Sequence, residues 1–271
     1  MNVDTRSLRT LSICSGYGGI ELGLREVVQS RVVCYVESET YVASILANLM
    51  ESGTLDPAPV WSDLRTFPDK KFGGGMVDIL AGGFPCQPFS VAGKHDINDP
   101  RNLWSRVRDI IAEIRPSVVF MENVTGLLQK ATGYYYWETI EPELREMEYQ
   151  VAEGIFSAEE LGLSHQRERL FIMAHSGGEG FQGLRPPQQE EHQNGRDDVF
   201  EGFPPRPEMV DEWTRLLEVM PEIKPSICRT IDGSVRGFEP RYRAIGNGVV
   251  PAVAANAFIV LSQKIGGMWS Y

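Results

Sequence analysis

The sequence predicts an α/β fold, a Rossmann-like doubly wound sheet with a small irregular region set into its last third. Three observations lead there. Short β-branched apolar runs alternate with segments whose apolar residues recur at helical spacing. The first run, Leu8 to Cys14, empties into Ser15, Gly16, Tyr17, Gly18 and Gly19 and then a helix, making a strand, glycine turn and helix in succession. From His175 the pattern stops, and residues 176–207 are rich in Gly, Pro, Gln and acids, with no periodicity. The expected division is a sheet domain over 1–175, an irregular region over 176–236 and a segment over 237–271 that returns to the sheet.

Each element follows in order. Ile20 to Val28 reads as the first helix, and its N-terminus, with the glycine turn, presents backbone N–H groups to a nucleotide-like ligand. The glycine spacing is not GxGxxG, which argues against a nicotinamide or flavin. Arg31 to Val36 is a second strand. Glu37 falls at its end, about 20 residues past the turn, where an acid can accept hydrogen bonds from a ribose diol. Together the turn and Glu37 favour an adenosine-type cofactor; a solvated acid at a strand end is the plainer alternative. Thr40 to Met50 reads as a helix and Val60 to Leu64 as a short strand. Asp63 then either meets an adenine amino group or starts the turn before Thr66 and Pro68.

The fourth strand, Val77 to Leu80, runs through Gly82 and Gly83 into Phe84, Pro85, Cys86, Gln87, Pro88, Phe89 and Ser90. Glycines and prolines build an open loop here. Cys86 thus sits just past the carboxyl end of a strand, where open α/β sheets place reactive groups. A thiolate there is a nucleophile when positive charge lies nearby. A lone cysteine is otherwise a small buried apolar residue, which this loop composition disfavours. Ser90 to Pro100 is a polar loop suited to closing over substrate. Asn102 to Arg115 reads as an amphipathic helix, and Ser117 to Met121 as a strand delivering Glu122, Asn123 and Val124 to the same edge as Cys86. Thr139 to Tyr149 reads as a helix, Gln150 to Phe156 as a strand and Ser157 to Leu163 as a short helical turn. Arg167 and Arg169 precede the strand Leu170 to Ala174 and, two apart, face the same way, either as solvated residues or as an anion or base contact. Ala244 to Val250 is a second glycine turn. Pro251 opens a last helix, Ala252 to Ile265, apolar enough to pack back on the sheet.

Composition limits the function classes. The 271 residues are 42% hydrophobic and 23% charged, ordinary for a globular protein. No apolar run approaches the roughly 18 residues of a membrane span, and no signal peptide is evident at the start. The four cysteines (Cys14, Cys34, Cys86 and Cys228) form no CxxC pair, so neither a zinc site nor a disulfide framework is expected, and a reducing cytoplasm fits. A net charge of -11 alone argues against nucleic acid as a partner. Local clusters at Arg101, Arg106 and Arg108, at Arg167 and Arg169, and from Arg229 to Arg243 leave room for a locally basic cleft. A monomer is the default expectation.

Taken in order, these motifs resemble the cytosine-C5 DNA methyltransferases, which use S-adenosyl-L-methionine. The resemblance spans nearly the whole chain. Ser12 to Gly19 resembles the family's cofactor loop, Gly82 to Ser90 its nucleophile loop, and Arg101-Asn102-Leu103 the motif after it. Glu122-Asn123-Val124 resembles the catalytic acid motif, Gln166 to Arg169 the arginine motif, and Gly246-Asn247-Gly248-Val249-Val250 the last motif. The likeness implies cofactor contacts at Cys14, Ser15, Gly16, Tyr17, Gly18, Gly19, Glu37, Asp63, Leu64, Pro85, Leu103, Asn247 and Val249. It implies catalytic roles for Cys86, Glu122, Arg167 and Arg169, and DNA contacts at Gln87, Ser90, Arg229 and Arg236. The 176–236 region becomes a target-recognition region on double-stranded DNA. Three departures stand out. Ser12-Ile13-Cys14 replaces the family's Asp-Leu-Phe, removing the aromatic ring that faces adenine; His165 aligns with the usual Gln of the arginine motif; and no clear copy of the penultimate motif precedes Arg241.

The chemistry explains why these residue types belong together. Thiolate addition at C6 of cytosine makes C5 enamine-like, a role for Cys86. Charge developing at N3 and O2 calls for donors, which Glu122 with a raised pKa and Arg167 would supply. The target base must leave the duplex to be reached. Two other readings stand beside this one: a tRNA cytosine-C5 methyltransferase of the same fold, which a short recognition region suits, and a non-catalytic DNA-binding regulator.

Overall fold

A computed structural model describes residues 7–85, 102–129, 135–161, 167–177 and 248–265. The strands are β1 (Leu8–Ile13), β2 (Ser30–Val36), β3 (Val60–Trp61), β4 (Ile79–Gly82), β5 (Val118–Asn123), β6 (Gln150–Ser157) and β7 (Glu168–His175). The helices are α1 (Gly19–Val27), α2 (Thr40–Glu51), α3 (Trp104–Ile114), α4 (Glu141–Glu146) and α5 (Pro251–Lys264).

The strands form one seven-stranded sheet in the order β3-β2-β1-β4-β5-β7-β6. From β3 to β5 every pairing is parallel, whereas β7 runs antiparallel to both β5 and β6. The chain leaves β1 toward β2 and β3, then returns to build β4 and β5 on the other side of β1. The strand order therefore reverses between β1 and β4, and a crevice at their carboxyl ends is the expected ligand position.

Alternation along the strands feeds two apolar layers. Leu80, Val119, Met121, Leu170 and Ile172 pack with Val107, Ile110 and Ile111 of α3 and with Leu144 of α4. On the opposite face Ile79, Phe120, Phe171 and Met173 pack with Leu24 of α1 and with Val253, Ala257 and Phe258 of α5. Helices on both faces make the sheet doubly wound, as the sequence predicts. The last helix does pack back, beside the first. A Cβ at Gly23 in α1 would run into the Pro251 carbonyl and the Ala254 methyl, so glycine sets this close approach.

Several boundaries differ from the sequence reading; β7, for one, begins at Glu168 and not at Leu170, so Arg169 is a strand residue. The strand expected to reach Leu64 stops at Trp61, because Asp63 caps a single tight turn over Leu64–Thr66 by accepting from the Arg65 N–H at 2.9 Å. The fifth strand continues to Asn123, because β7 pairs with it to the end, so Glu122 is a strand residue. The helix expected from Thr139 begins earlier, as a wider π-type turn over Tyr136–Ile140, and then becomes α4. Among the described residues no helix is long and apolar enough to cross a membrane.

Candidate active site

The glycine turn leaves β1 at the strand-order reversal. Cys14, Gly16 and Gly18 all take left-handed backbone angles, with φ of 46, 56 and 87°. Gly18 caps α1 with its backbone alone, so the first N–H groups of the helix have no side-chain partner. Ser15 fixes the turn to the sheet: its N–H donates to the Val36 carbonyl at 3.1 Å, and its hydroxyl accepts from Ser12 at 2.7 Å. Glu37, at the end of β2, accepts from the Gly16 N–H at 2.9 Å and from the Glu39 N–H at 2.8 Å. Burial raises its pKa, while these N–H donors hold it down. Burial likewise pushes the Cys14 thiol up to about 12, with Glu37 adding to the effect, so it stays protonated and unreactive.

Tyr17 reaches across to the segment after Gly248. Its hydroxyl donates to the Val249 carbonyl at 2.6 Å, and its ring lies where a Cβ on residue 248 would stand. Gly248 is thereby required for a reason that its motif alone does not reveal. Asp63 caps its own turn through one carboxylate oxygen and sits half-exposed, 3.7 Å from the Arg65 guanidinium. Leu64 is buried in the layer against which Cys14 and Leu103 also pack.

The second half of the crevice comes from β4, β5 and β7. Asn123 donates from Nδ2 to the Phe84 carbonyl at 2.9 Å and accepts from the Val124 N–H at 2.9 Å. It thus ties the chain running through Pro85 toward Cys86 to the end of β5. The motif alone does not reveal this task; a polar residue at the last position of a buried strand is the signal for it. Because β7 is antiparallel, its beginning lies beside the end of β5. Arg169 Nε donates to Glu122 Oε1 at 2.8 Å, and Arg167 donates to the Gly248 carbonyl. Glu122 is only 7% exposed. Burial pushes its carboxyl up to about 7, against the pull of Arg169 and Arg167. The Arg167 guanidinium is itself lowered, by burial and by Arg169. A cavity lined by Cys14, Ser15, Gly16, Gly19, Ile20, Gly83, Glu122, Gly248 and Val249 joins the glycine turn to this carboxyl.

Cys86, Gln87, Ser90, Arg229, Arg236 and Asn247 lie outside the described residues, as does Arg101. Arg106 and Arg108, two of the cations that left room for a basic cleft, are paired with acids. Arg106 bonds Asp69 at 2.8 Å, and Arg108 bonds Glu143 at 3.1 Å and Asp109 at 3.0 Å. Among the described residues no cluster of His, Cys, Asp and Glu is arranged to hold a metal ion.

The model of C-5 cytosine-specific DNA methylases matches residues 8–222. The chain belongs to this family. It is 32% identical over 175 residues to the type II methyltransferase M1.ScrFI of Lactococcus lactis subsp. cremoris, covering 64% of this chain and 42% of that protein. It is 31% identical over 169 residues to M.HhaI of Haemophilus parahaemolyticus, covering 61% and 48%. The chain thus spans about half the length, or less, of the curated relatives it matches. A putative DNA modification methyltransferase encoded within an E. coli prophage superposes with a TM-score of 0.51 at 24% identity, over 62% of this chain and 47% of that one. The Entamoeba histolytica methyltransferase EhMeth superposes at 0.52 and 20% identity, over 64% and 54%. These two share the fold.

Proposed function

We propose that the protein transfers a methyl group from S-adenosyl-L-methionine to C5 of a cytosine flipped out of double-stranded DNA, through an adduct between Cys86 and C6. What carries this reading is the Glu122 carboxyl, buried, raised to about 7 and held by Arg169. It stands across one cavity from the glycine turn, beside the strand exit that leads to Cys86.

The residues present fit the cofactor. The N–H groups at the start of α1, uncapped by side chains, suit a carboxylate. Glu37 keeps lone pairs for a ribose diol beyond the two N–H bonds it accepts. The family resemblance assigns Asp63 and Leu64 to adenine, Leu103 and Pro85 to the methionine part, and Asn247 and Val249 to the last motif of the site. When bound, S-adenosylmethionine supplies the methyl group as an electrophile for C5. Cys86 adds to C6 and breaks the ring's aromaticity. Glu122 donates its proton to N3, and Arg167 stabilises charge at O2. Arg169 keeps the Glu122 carboxyl aimed. A base, with water as the candidate, then takes the C5 proton, Cys86 leaves as the thiolate and N3 returns its proton to Glu122. Extruding the base costs a few kcal/mol, and Gln87 and Ser90 are assigned to the gap it leaves. Residues 176–236, with Arg229 and Arg236, read the surrounding bases in the major groove. The enzyme works as a monomer in a reducing cytoplasm, where Cys86 remains a thiol.

The test is transfer of labelled methyl groups to duplex DNA and, separately, to bulk tRNA, with Cys86→Ala alongside. Label in DNA that vanishes in the variant supports the proposal. Label in tRNA alone assigns the tRNA branch. DNA binding without label in either substrate leaves a regulator.

A further inference from the structure

Between β3 and β4 the chain runs through residues 62–78 with only two short turns, Leu64–Thr66 and Asp69–Lys71. Such a segment leaves backbone carbonyls that need partners from elsewhere. Two of these carbonyls, at Leu64 and Phe67, accept from one side chain distant in sequence as well as from local N–H groups. Arg106, in the first turn of α3, donates from Nε to the Leu64 carbonyl at 3.2 Å and from one terminal nitrogen to the Phe67 carbonyl at 2.7 Å. The other terminal nitrogen donates to Asp69 Oδ2 at 2.8 Å. The planar fork of a guanidinium can reach three acceptors spread over one turn; a lysine ammonium, compact and round, cannot span them equally. The pair is mostly shielded from water, with side chains 22% and 17% exposed.

The same helix begins directly after Leu103. Leu103 packs against the apolar layer that contains Leu64 and Trp104. The first turn of α3 therefore controls two separate walls: Leu103 through the chain itself, and the Asp63–Leu64 turn through the Arg106 fork.

We propose that Arg106 is a positioning residue for the cofactor, setting the Asp63–Leu64 turn at the distance from Leu103 that the adenosyl group requires. This rests on the cofactor reading given above. Arg106 touches no cofactor itself and acts through the backbone of residues 64–69. The ion pair with Asp69 keeps the guanidinium from turning toward solvent.

The full chain is titrated calorimetrically with S-adenosylhomocysteine, as wild type, Arg106→Lys, Arg106→Met and Asp69→Asn. Folded protein in each sample is counted by circular dichroism. A tenfold or larger rise in Kd for Arg106→Met is expected, with a smaller rise for Arg106→Lys and for Asp69→Asn. KM for S-adenosylmethionine should rise in step, while kcat at saturating cofactor changes far less. A role in stability alone would lower Tm and leave the Kd of the folded fraction unmoved; a Kd within twofold of wild type therefore overturns the proposal. If Arg106→Met fails to fold, Arg106→Lys decides by the same criterion. Wild-type protein that binds no S-adenosylhomocysteine removes the cofactor reading itself, an outcome distinct from equal binding by all four proteins.

Discussion

Replacing Glu21 with glutamine should flatten part of the pH dependence of stability. Glu21 lies in the first turn of α1 and is 2% exposed. Ser12 of β1 lies nearby, and neither carboxylate oxygen has a hydrogen-bond partner among the described residues. Ser12, the hydroxyl best placed to help, donates to Ser15 instead. Burial consequently pushes the carboxyl from its ordinary 4.5 up to about 7, moderated by Ser12 and by the helix backbone. At about 1.36 kcal/mol for each tenfold change in proton affinity, that gap amounts to about 3 kcal/mol. The folded state holds the proton more tightly than the unfolded chain does. The contribution is therefore fully present below pH 4.5, declines as pH rises, and is lost once pH passes about 7. Urea unfolding followed by circular dichroism, at half-unit steps from pH 5 to 8.5 and fixed ionic strength, measures it. The stability of Glu21→Gln minus that of wild type should climb by about 2–3 kcal/mol across that range, since all other titrations are common to both proteins. Parallel curves, differing by a constant within about 0.5 kcal/mol, would refute the placement of a protonated carboxyl under the glycine turn.

Glu122→Gln should lower single-turnover methylation by a factor of about 100 to 10,000, the usual range for a lost general acid. Because the protonated form is the donor, wild-type turnover should fall as pH rises through about 7, and this limb should be missing from the variant's pH profile. Tyr17→Phe keeps the ring over Gly248 and loses only the bond to Val249, so denaturant unfolding should show a loss of about 1 kcal/mol. Gly23→Val drives a side chain into Pro251 and Ala254, and should cost about 2 kcal/mol or more in the same assay.

Much of the fold was legible because the layers are built from regular periodicity. The strand runs at Leu8, Arg31, Val118 and Leu170, and the helical face of α3, follow from counting apolar positions. Where the reading slipped, a contact distant in sequence decided the matter. Glu122 was placed after its strand because nothing local tells β5 to continue; β7, drawn from some 50 residues later, extends it. The cluster Arg101, Arg106 and Arg108 left room for a basic cleft, and a run of cations in one dimension says nothing about Asp69 or Glu143, which pair with the last two in three. Tyr17 and Asp63 sit in motif positions that suggest a ligand. Each also serves the fold, the first by bonding the Val249 carbonyl and the second by capping its own turn, which the motifs alone do not reveal. The pairing of Glu122 with Arg169 was only half visible: both residues stood out, but strand direction alone brings them together.

The close contact between α1 and α5 also bears on how the chain is made. Synthesis proceeds from the N-terminus, and β1, β4, β5 and α1 emerge long before residues 251–264. Until then Leu24, Ile79, Phe120 and Phe171 lack the cover that Val253, Ala257 and Phe258 later provide. A nascent chain stalled ahead of Pro251 would thus carry an open greasy face, a substrate for chaperones or for self-association, even with every strand of the sheet already translated. Emergence of residues 251–264, more than formation of the sheet, becomes the event that covers this layer.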